Sequence, residues 1–186
     1  MDRETHARIG AEHGSAAGTS GTSIISPSAI TVSATGNGQL VAVTFAAAKI
    51  SKQPVPAGTS TTGTETPSKY GIGISGDVSI NTINDDVLAY INDCGIITGG
   101  AISVTANNQS YVWAVSGSAS ISSGTAPGGL RSAGIAGSVS EINLTGNTLA
   151  YIKGQTADQT NVTASSLDVT ATRGGIIRAL TAGGAG

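Results

Sequence analysis

The stretch Gly73–Ile91 reads GISGDVSINTINDDVLAYI. A closely similar stretch of the same chain, GIAGSVSEINLTGNTLAYI, spans Gly134–Ile152 at a constant offset of 61 positions. A second block follows each stretch, AISVTANNQSYVWAVS at Ala101–Ser116 and SLDVTATRGGIIRALT at Ser166–Thr181. An earlier form of this block, AITVSATGNGQLVAVT, begins at Ala29. Self-similarity at a fixed spacing is typical of repeat architectures. We predict one domain over residues 1–186, with about three imperfect repeats at 1–50, 71–121 and 132–186.

Aligning the repeats predicts which side chains face inward. Alternate positions stay small or apolar in all three repeats, whereas the positions between them vary from charged to aromatic. Alternation with a period of two is typical of a strand with one buried face. We assign the inward ladder to Ala7, Ile9, Ala89, Ile91, Ala150, Ile152, Val32, Val104 and Val169.

The composition favours stacked strands. The chain of 186 residues holds 27 glycines and six aromatic residues, and only 11% of it is charged. A core of small and β-branched side chains needs thin layers, which parallel strands stacked about 4.8 Å apart provide. We predict an all-β fold, a parallel β-helix (β-solenoid) that we expect to be right-handed.

Irregular stretches separate the repeats. Ser51–Tyr70 holds three of the five prolines and predicts an exposed loop, and Ser15–Pro27 and Ser122–Arg131 predict shorter irregular stretches. Gly36–Gly38, Asn107–Asn108 and Gly174–Gly175 predict corners, because Gly and Asn tolerate a left-handed backbone.

The repeats are out of phase with the termini, since the first lacks the GIxG segment and the last stops before a new one. A solenoid without caps leaves unpaired strand edges and an open core. We therefore expect either a piece of a longer solenoid or a chain that stacks end to end on further molecules of itself.

The pattern GIxGxVS…LAYI…(I/L)xV(S/T)A resembles the repeats of large secreted bacterial surface proteins, the filamentous-haemagglutinin-like and autotransporter-like adhesins with β-helix stalks. The resemblance covers most of the chain outside Ser51–Tyr70. It implies an extracellular, structural role at the bacterial cell surface, and it carries over no catalytic residues.

Several side chains are candidates for chemical sites. Asn84-Asp85-Asp86 lacks a basic partner between Gly71 and Leu130, so we interpret it as a solvated turn rather than a polysaccharide-cleaving pair. Asp93, with Asp85 and Asp86, lacks the spacing of a calcium loop. His6 and His13 are interpreted as surface residues, because a metal site needs three or four donors. We expect no enzyme activity, no cofactor and no metal.

Cys94 excludes an internal disulfide, because it is the single cysteine. We interpret it as a small buried residue in a turn or an occasional crosslink between chains, and the neighbouring acid is expected to raise its pKa.

The outward positions predict a contact surface made of Arg8, Tyr90, Tyr151 and Trp113, in a chain with few aromatics. Partners would be further molecules of this chain, the remainder of a longer solenoid, or a cell-surface glycan or protein. The net charge of −2 gives no reason to propose nucleic acid, and no run is long enough to insert in a membrane.

Two functions follow as expectations: a subunit or segment of a surface fibre that stacks end to end, and, alternatively, an adhesin stalk that binds through its loops. A polysaccharide-active β-helix enzyme is a remote third hypothesis.

Overall fold

The computed structural model describes residues 1–14, 22–51, 70–123, 131–154 and 161–186, which form strands and no helix. The strands are β1 (Asp2–Gly10), β2 (Thr22–Ile25), β3 (Ile30–Ser51), β4 (Tyr70–Asn92), β5 (Cys94–Thr98), β6 (Ala101–Ser123), β7 (Arg131–Thr145), β8 (Thr148–Lys153), β9 (Asn161–Thr163) and β10 (Ser166–Ala185).

The strands form three sheets, and each sheet takes strands from all three repeats. The first sheet joins β1, β4 and β7, with β8 also paired to β4, the second joins β2, β5 and β9, and the third joins β3, β6 and β10. The pairs β1–β4, β4–β8, β2–β5 and β5–β9 are parallel. The predicted all-β class with parallel strands is therefore confirmed.

The repeats pair in the register that the sequence alignment predicts. Ala7 lies beside Ala89, and Ala89 lies beside Ala150. Ile9, Ile91 and Ile152 form the next inward column of the same sheet. Register is strongly specified here because a slip by one residue would move every apolar side chain to the opposite face.

The predicted corners are wrong, because each of them lies within a strand of the third sheet: Gly36–Gly38 within β3, Asn107–Asn108 within β6 and Gly174–Gly175 within β10. The glycines instead allow close approach. A Cβ on Gly175 would lie 2.0 Å from the carbonyl oxygen of Ser110, and the backbone there has φ of +143°. Glycine in a strand is typical of a site where another backbone comes near.

The short second sheet was not predicted. β2 lies inside the stretch predicted to be irregular, and Cys94 begins β5 instead of lying in a turn. The bend falls one residue earlier, at Asp93, whose φ is +63°. The predicted loop over Ser51–Tyr70 lies outside the described residues except for its two ends, which belong to β3 and β4. The ends of the stretch Ser122–Arg131 belong likewise to β6 and β7.

The chain divides into two compact units, each with segments from all three repeats. The first unit comprises Met1–Leu40, Thr82–Val112 and Asn143–Ile177, and the second comprises Val41–Asn81, Trp113–Ile142 and Arg178–Gly186. The expectation of one continuous domain stays a prediction.

The first unit has an aliphatic core, and most of the inward ladder lies in it or against it. The buried cluster comprises Ile30, Val32, Ala34, Val87, Ala89, Ile91, Cys94, Ile97, Ile102, Val104 and Ala106, and Ala7, Ile9, Ala150 and Ile152 pack against it, partly buried. Val169 differs, because it is 42% exposed. Its strand, β10, is the edge of its sheet, so the inward side chains of repeat 3 are stacked on one side only.

The second unit reverses this polarity. Its buried inward side chains are small and mostly polar: Ser75, Ser79, Ser116, Ser118 and Ser120, with Ala114. Its outward side chains are aliphatic or aromatic and more than half exposed, namely Val41, Val43, Phe45, Ile72, Ile74, Val78, Ile80, Ile121, Ile135, Val139 and Leu180. A Cβ on Gly73 would lie 2.6 Å from Ser120 Oγ, so the two sheets of this unit leave room only for small side chains.

This reversed polarity predicts an unusual pair of mutational effects. Ile74→Thr, at a residue 69% exposed, should change the free energy of unfolding by less than ~0.5 kcal/mol. Ser120→Ile, at a buried residue facing Gly73, should lower the free energy of unfolding by ~1–3 kcal/mol through overpacking, although the substitution adds apolar surface. Urea denaturation of both variants would measure this, and a larger loss for Ile74→Thr than for Ser120→Ile would contradict it.

Candidate contact surface and interior polar cluster

Arg8, Tyr90 and Tyr151 occupy one column of the first sheet. Arg8 pairs in register with Tyr90, and Tyr90 pairs in register with Tyr151. The two tyrosine rings are stacked, with their centroids 5.0 Å apart and their planes 2° apart. Neither tyrosine belongs to the aliphatic core cluster, so the column lies on the predicted outward face.

The chain crosses this column directly after β1. Gly10 has a φ of +87°, a conformation that glycine adopts without strain and that turns the chain away from the strand direction. The Asn92 side-chain amide donates to the carbonyl oxygens of Ala11 and Glu12, at 3.3 and 3.1 Å, and holds the turn. The turn is therefore fixed by the strand that carries Tyr90.

This turn brings His13 onto the tyrosines. The His13 backbone N–H donates to the Tyr90 hydroxyl at 2.9 Å, and its Nδ1 lies 2.7 Å from the Tyr151 hydroxyl. The prediction that Tyr90 is exposed is therefore wrong: its ring is fully buried, with His6, His13 and Tyr151 in ring contact. Tyr151 is half-buried and Arg8 is exposed.

The cluster raises the pKa of both Tyr151 and Arg8. Partial burial, and to a lesser extent the neighbouring Tyr90, raises the pKa of Tyr151 above its ordinary value. A hydrogen bond to Tyr90 and the charge of Glu12, whose carboxylate lies 3.2 Å away, raise the pKa of Arg8. Both histidines are exposed, as predicted, but their ring contacts with the tyrosines were not predicted.

Trp113 lies in the second unit, 43% exposed, where the Arg178 guanidinium carbon sits 4.9 Å from its ring centroid. This distance is within the range of a cation–π contact. Trp113 thus belongs to the apolar outer face of the second unit, and the tyrosine column belongs to the first unit. Three of the four predicted contact residues, Arg8, Tyr90 and Tyr151, therefore share one column, and Trp113 belongs to the other unit.

Asp85 is the centre of a polar cluster in the interior of the first unit. Its carboxylate accepts a short hydrogen bond from the Ser110 hydroxyl and lies 3.7 Å from the Arg3 guanidinium. The Asn108 amide donates to the Asp85 carbonyl oxygen at 3.3 Å, and its Oδ1 lies 3.1 Å from the Ser110 hydroxyl. The interpretation of Asp85 as part of a solvated turn is wrong, because its side chain is fully buried within β4.

The basic partner was missed because it lies far from Asp85 in sequence, on β1, and only the parallel register brings Arg3 to Asp85. Asp86 points away from the cluster, as the alternation of a strand requires. Its carboxylate accepts from the backbone N–H of Asn147 at 2.6 Å and from the Asn147 amide at 3.0 Å, so it fixes the turn between β7 and β8. Since Asp85 is enclosed, a dissolved substrate cannot reach it.

Cys94 is buried in the aliphatic core of the first unit. Burial, followed by the charge of Asp93, raises the pKa of its thiol. A buried, protonated thiol is a poor nucleophile, so the structure gives Cys94 a packing role.

Among the described residues, no group of three or more His, Cys, Asp or Glu side chains is placed to hold a metal ion. The described part of the chain also contains no helix that could cross a membrane. Comparisons with protein-family models, with curated protein sequences and with solved structures find no match to this chain.

The raised pKa of Tyr151 predicts a specific loss of stability in alkali. A tyrosine that keeps its proton more tightly in the folded state stabilises the fold below pH ~10, and this contribution is lost as the pH rises through the raised pKa. Tyr151→Phe keeps the stacked ring and removes the ionising group. Melting temperatures between pH 8 and about 11 should therefore fall less steeply for Tyr151→Phe than for the wild type. Parallel curves for the two proteins would contradict the assignment.

Proposed function

We propose that this protein is a structural, non-catalytic element of a bacterial surface fibre. In this proposal the chain winds as a right-handed parallel β-helix with three strands per coil, and its end coils join further coils in line. The protein would act outside the cell, where it would connect neighbouring parts of the fibre mechanically and catalyse no reaction.

The observation that carries the proposal is a difference in burial between equivalent positions. In repeat 2, Ile102, Val104 and Val112 are at most 1% exposed. The equivalent side chains of repeat 3 are 53% exposed at Leu167, 42% at Val169 and 53% at Ile177. The inward side chains of repeat 1 are also buried, with Ile30 7% and Val32 4% exposed, so the exposure is confined to the end of repeat 3, where it favours a further coil as the covering layer.

The strand edges support the same proposal. β1 and β3 lie at the edges of the first and third sheets on the side of repeat 1, and β10 lies at the opposite edge of the third sheet. An edge strand presents unpaired N–H and C=O groups that template another strand. Because the two ends differ, the contact between molecules is head to tail and does not close on itself, which generates a filament.

Tyr151 contributes at the same end of the first sheet. Within the chain its column runs Arg8, Tyr90, Tyr151. A further coil with the sequence of repeat 1 would place an arginine on the free face of the Tyr151 ring, which is a favourable cation–π arrangement.

A second candidate, a binding module of an adhesin, is favoured by the outer faces of the second unit. Exposed apolar patches of this extent are typical of protein interaction sites. Phe45, 70% exposed, and Trp113 with its Arg178 partner would be the contact residues for a protein or glycan.

The fibre proposal is tested by Leu167→Lys. This residue is already more than half exposed, so the substitution should leave the melting temperature nearly unchanged. In sodium sulfate, which strengthens apolar burial and screens charges, the wild type should form rods that lengthen by about 14 Å per molecule, three coils at ~4.8 Å each. Leu167→Lys should shorten these rods to single molecules, as measured by negative-stain electron microscopy and sedimentation velocity.

Ile9→Lys, on the inward face of β1, should block the opposite end in the same way, and Thr31→Lys is the matched control because its side chain is exposed on β3. Single molecules of wild type at every sulfate and protein concentration, or unchanged rods from Leu167→Lys, would contradict end-to-end stacking.

A further inference from the structure

The interior of the first unit carries a column of charges across the repeats. Arg3 of repeat 1 pairs in register with Asp85 of repeat 2, and their side chains lie 3.7 Å apart. Gly146 of repeat 3 lies directly against the Asp85 backbone, because a Cβ there would be 2.3 Å from the Asp85 carbonyl oxygen. Repeat 3 therefore has no side chain of its own at this point of the first sheet.

Arg173 fills that position from the third sheet. Its guanidinium donates to the Gly146 carbonyl oxygen at 2.6 Å and to the Thr145 carbonyl oxygen at 3.1 Å. The column therefore reads positive, negative, positive: Arg3, Asp85, Arg173. Unlike Asp85, Arg173 lies on an exposed strand at the end of the repeats.

Arg173 also lines a recess at this end of the first unit, together with Ser110, Leu144, Gly174, Gly175 and Ile177. Ser110 is the buried hydroxyl that bonds to Asp85. Gly174 and Gly175 contribute no side chains to the recess, and Ser110 is buried. A side chain from a further coil would enter the structure here, next to the guanidinium.

The charge that a further coil brings next to Arg173 determines whether its contact with the end of repeat 3 is attractive or repulsive. A second molecule of this chain, stacked in the same register, would bring its Arg3 to the level above Gly146, next to Arg173. The two guanidinium groups would come from different sheets and repel each other in the interior, and inward-pointing charges are one means by which proteins prevent unwanted edge pairing. The other residue pairs at this contact between molecules would not oppose stacking. Tyr151 would lie beside Arg8 of the second molecule, Asn147 beside its Glu4, and Lys153 beside its turn that contains Glu12.

We propose that the end of repeat 3 selects a neighbouring parallel β-coil that carries a carboxylate at the position equivalent to Arg3, and discriminates against a second molecule of this chain. This inference rests on the proposed stacking function and adds the chemistry of the partner. The carboxylate would complete the alternation of the column and pair with Arg173, as Asp85 pairs with Arg3. The rejection of Arg3 at the same position would make the order of coils in the fibre specific.

The test gives this chain the missing carboxylate. In the double variant Arg3→Glu/Asp85→Asn, the column is negative at position 3, neutral at position 85 and positive at Arg173. A second molecule would therefore bring a carboxylate next to Arg173, and no two like charges would be neighbours. At ~10 mM salt, where charges are little screened, this variant should form rods at a protein concentration at least ~10-fold below that required by the wild type. Asp85→Asn alone is the matched control, because it keeps the conflict between Arg3 and Arg173 and should behave as the wild type.

A second pair of variants leaves the Arg3–Asp85 pair intact. Arg173→Gln removes one of the two like charges at an exposed residue and should also assemble at low salt, whereas Arg173→Lys keeps the charge and should not. Circular dichroism and melting temperature would confirm that each variant is folded, and sedimentation velocity would measure assembly.

The outcomes separate the inference from the proposed function. Rods of wild type in sulfate, with no gain at low salt for either Arg3→Glu/Asp85→Asn or Arg173→Gln, would overturn the inference and leave the stacking function intact. No rods from any of these proteins under any condition would overturn the stacking function and the inference together. Assembly of both charge variants at low salt, with Asp85→Asn and Arg173→Lys unchanged, is the result that supports the inference.

Discussion

The parallel, in-register stacking of inward side chains is the constraint on which the rest of the first unit depends. Val87, Ala89 and Ile91 lie between the equivalent residues of repeats 1 and 3, and all three are completely buried. A single repeat buries little apolar surface by itself, and its inward side chains become buried when equivalent residues of neighbouring repeats stack on both sides of them. The inward residues of β10, at the edge of the third sheet, lack this burial, because Leu167, Val169 and Ile177 are exposed.

Polar groups in the interior are arranged in columns as well. Asp85 is held by a hydroxyl, an amide and a guanidinium that come from two different strands, and Arg173 closes the next level with hydrogen bonds to backbone carbonyl oxygens. A buried charge without such partners would be strongly destabilising, so Asp85 of repeat 2 depends on Arg3 of repeat 1. Packing and the Arg3–Asp85 contact both join neighbouring repeats within the chain.

Part of this arrangement was predictable from the sequence alone. The shared alternation of the LAYI segments predicts the register of β1, β4 and β8, because a period of two and a buried face leave one alignment. The glycine pairs were misinterpreted as corners, since the close approach of another backbone, as at Gly175 and Ser110, requires glycine as much as a turn does. The burial of Tyr90 could not be predicted, because the turn that covers it comes from a distant strand. The polarity of the second unit was missed because the alternation of β4 does not change along the strand. The apolar residues occupy the outward positions over Ile72–Ile80 but the inward positions over Val87–Ile91.

The most direct measurement of the central claim is hydrogen–deuterium exchange of β10. In a parallel strand the N–H groups point alternately to the two neighbours, so an edge strand leaves about half of them without a partner. Exchange over residues 166–177 should be fast in dispersed protein and slow after assembly, while β6 over 101–112 should be slow in both states. Equal exchange of β10 in dispersed and assembled protein would contradict a joint made by strand pairing at the end of repeat 3.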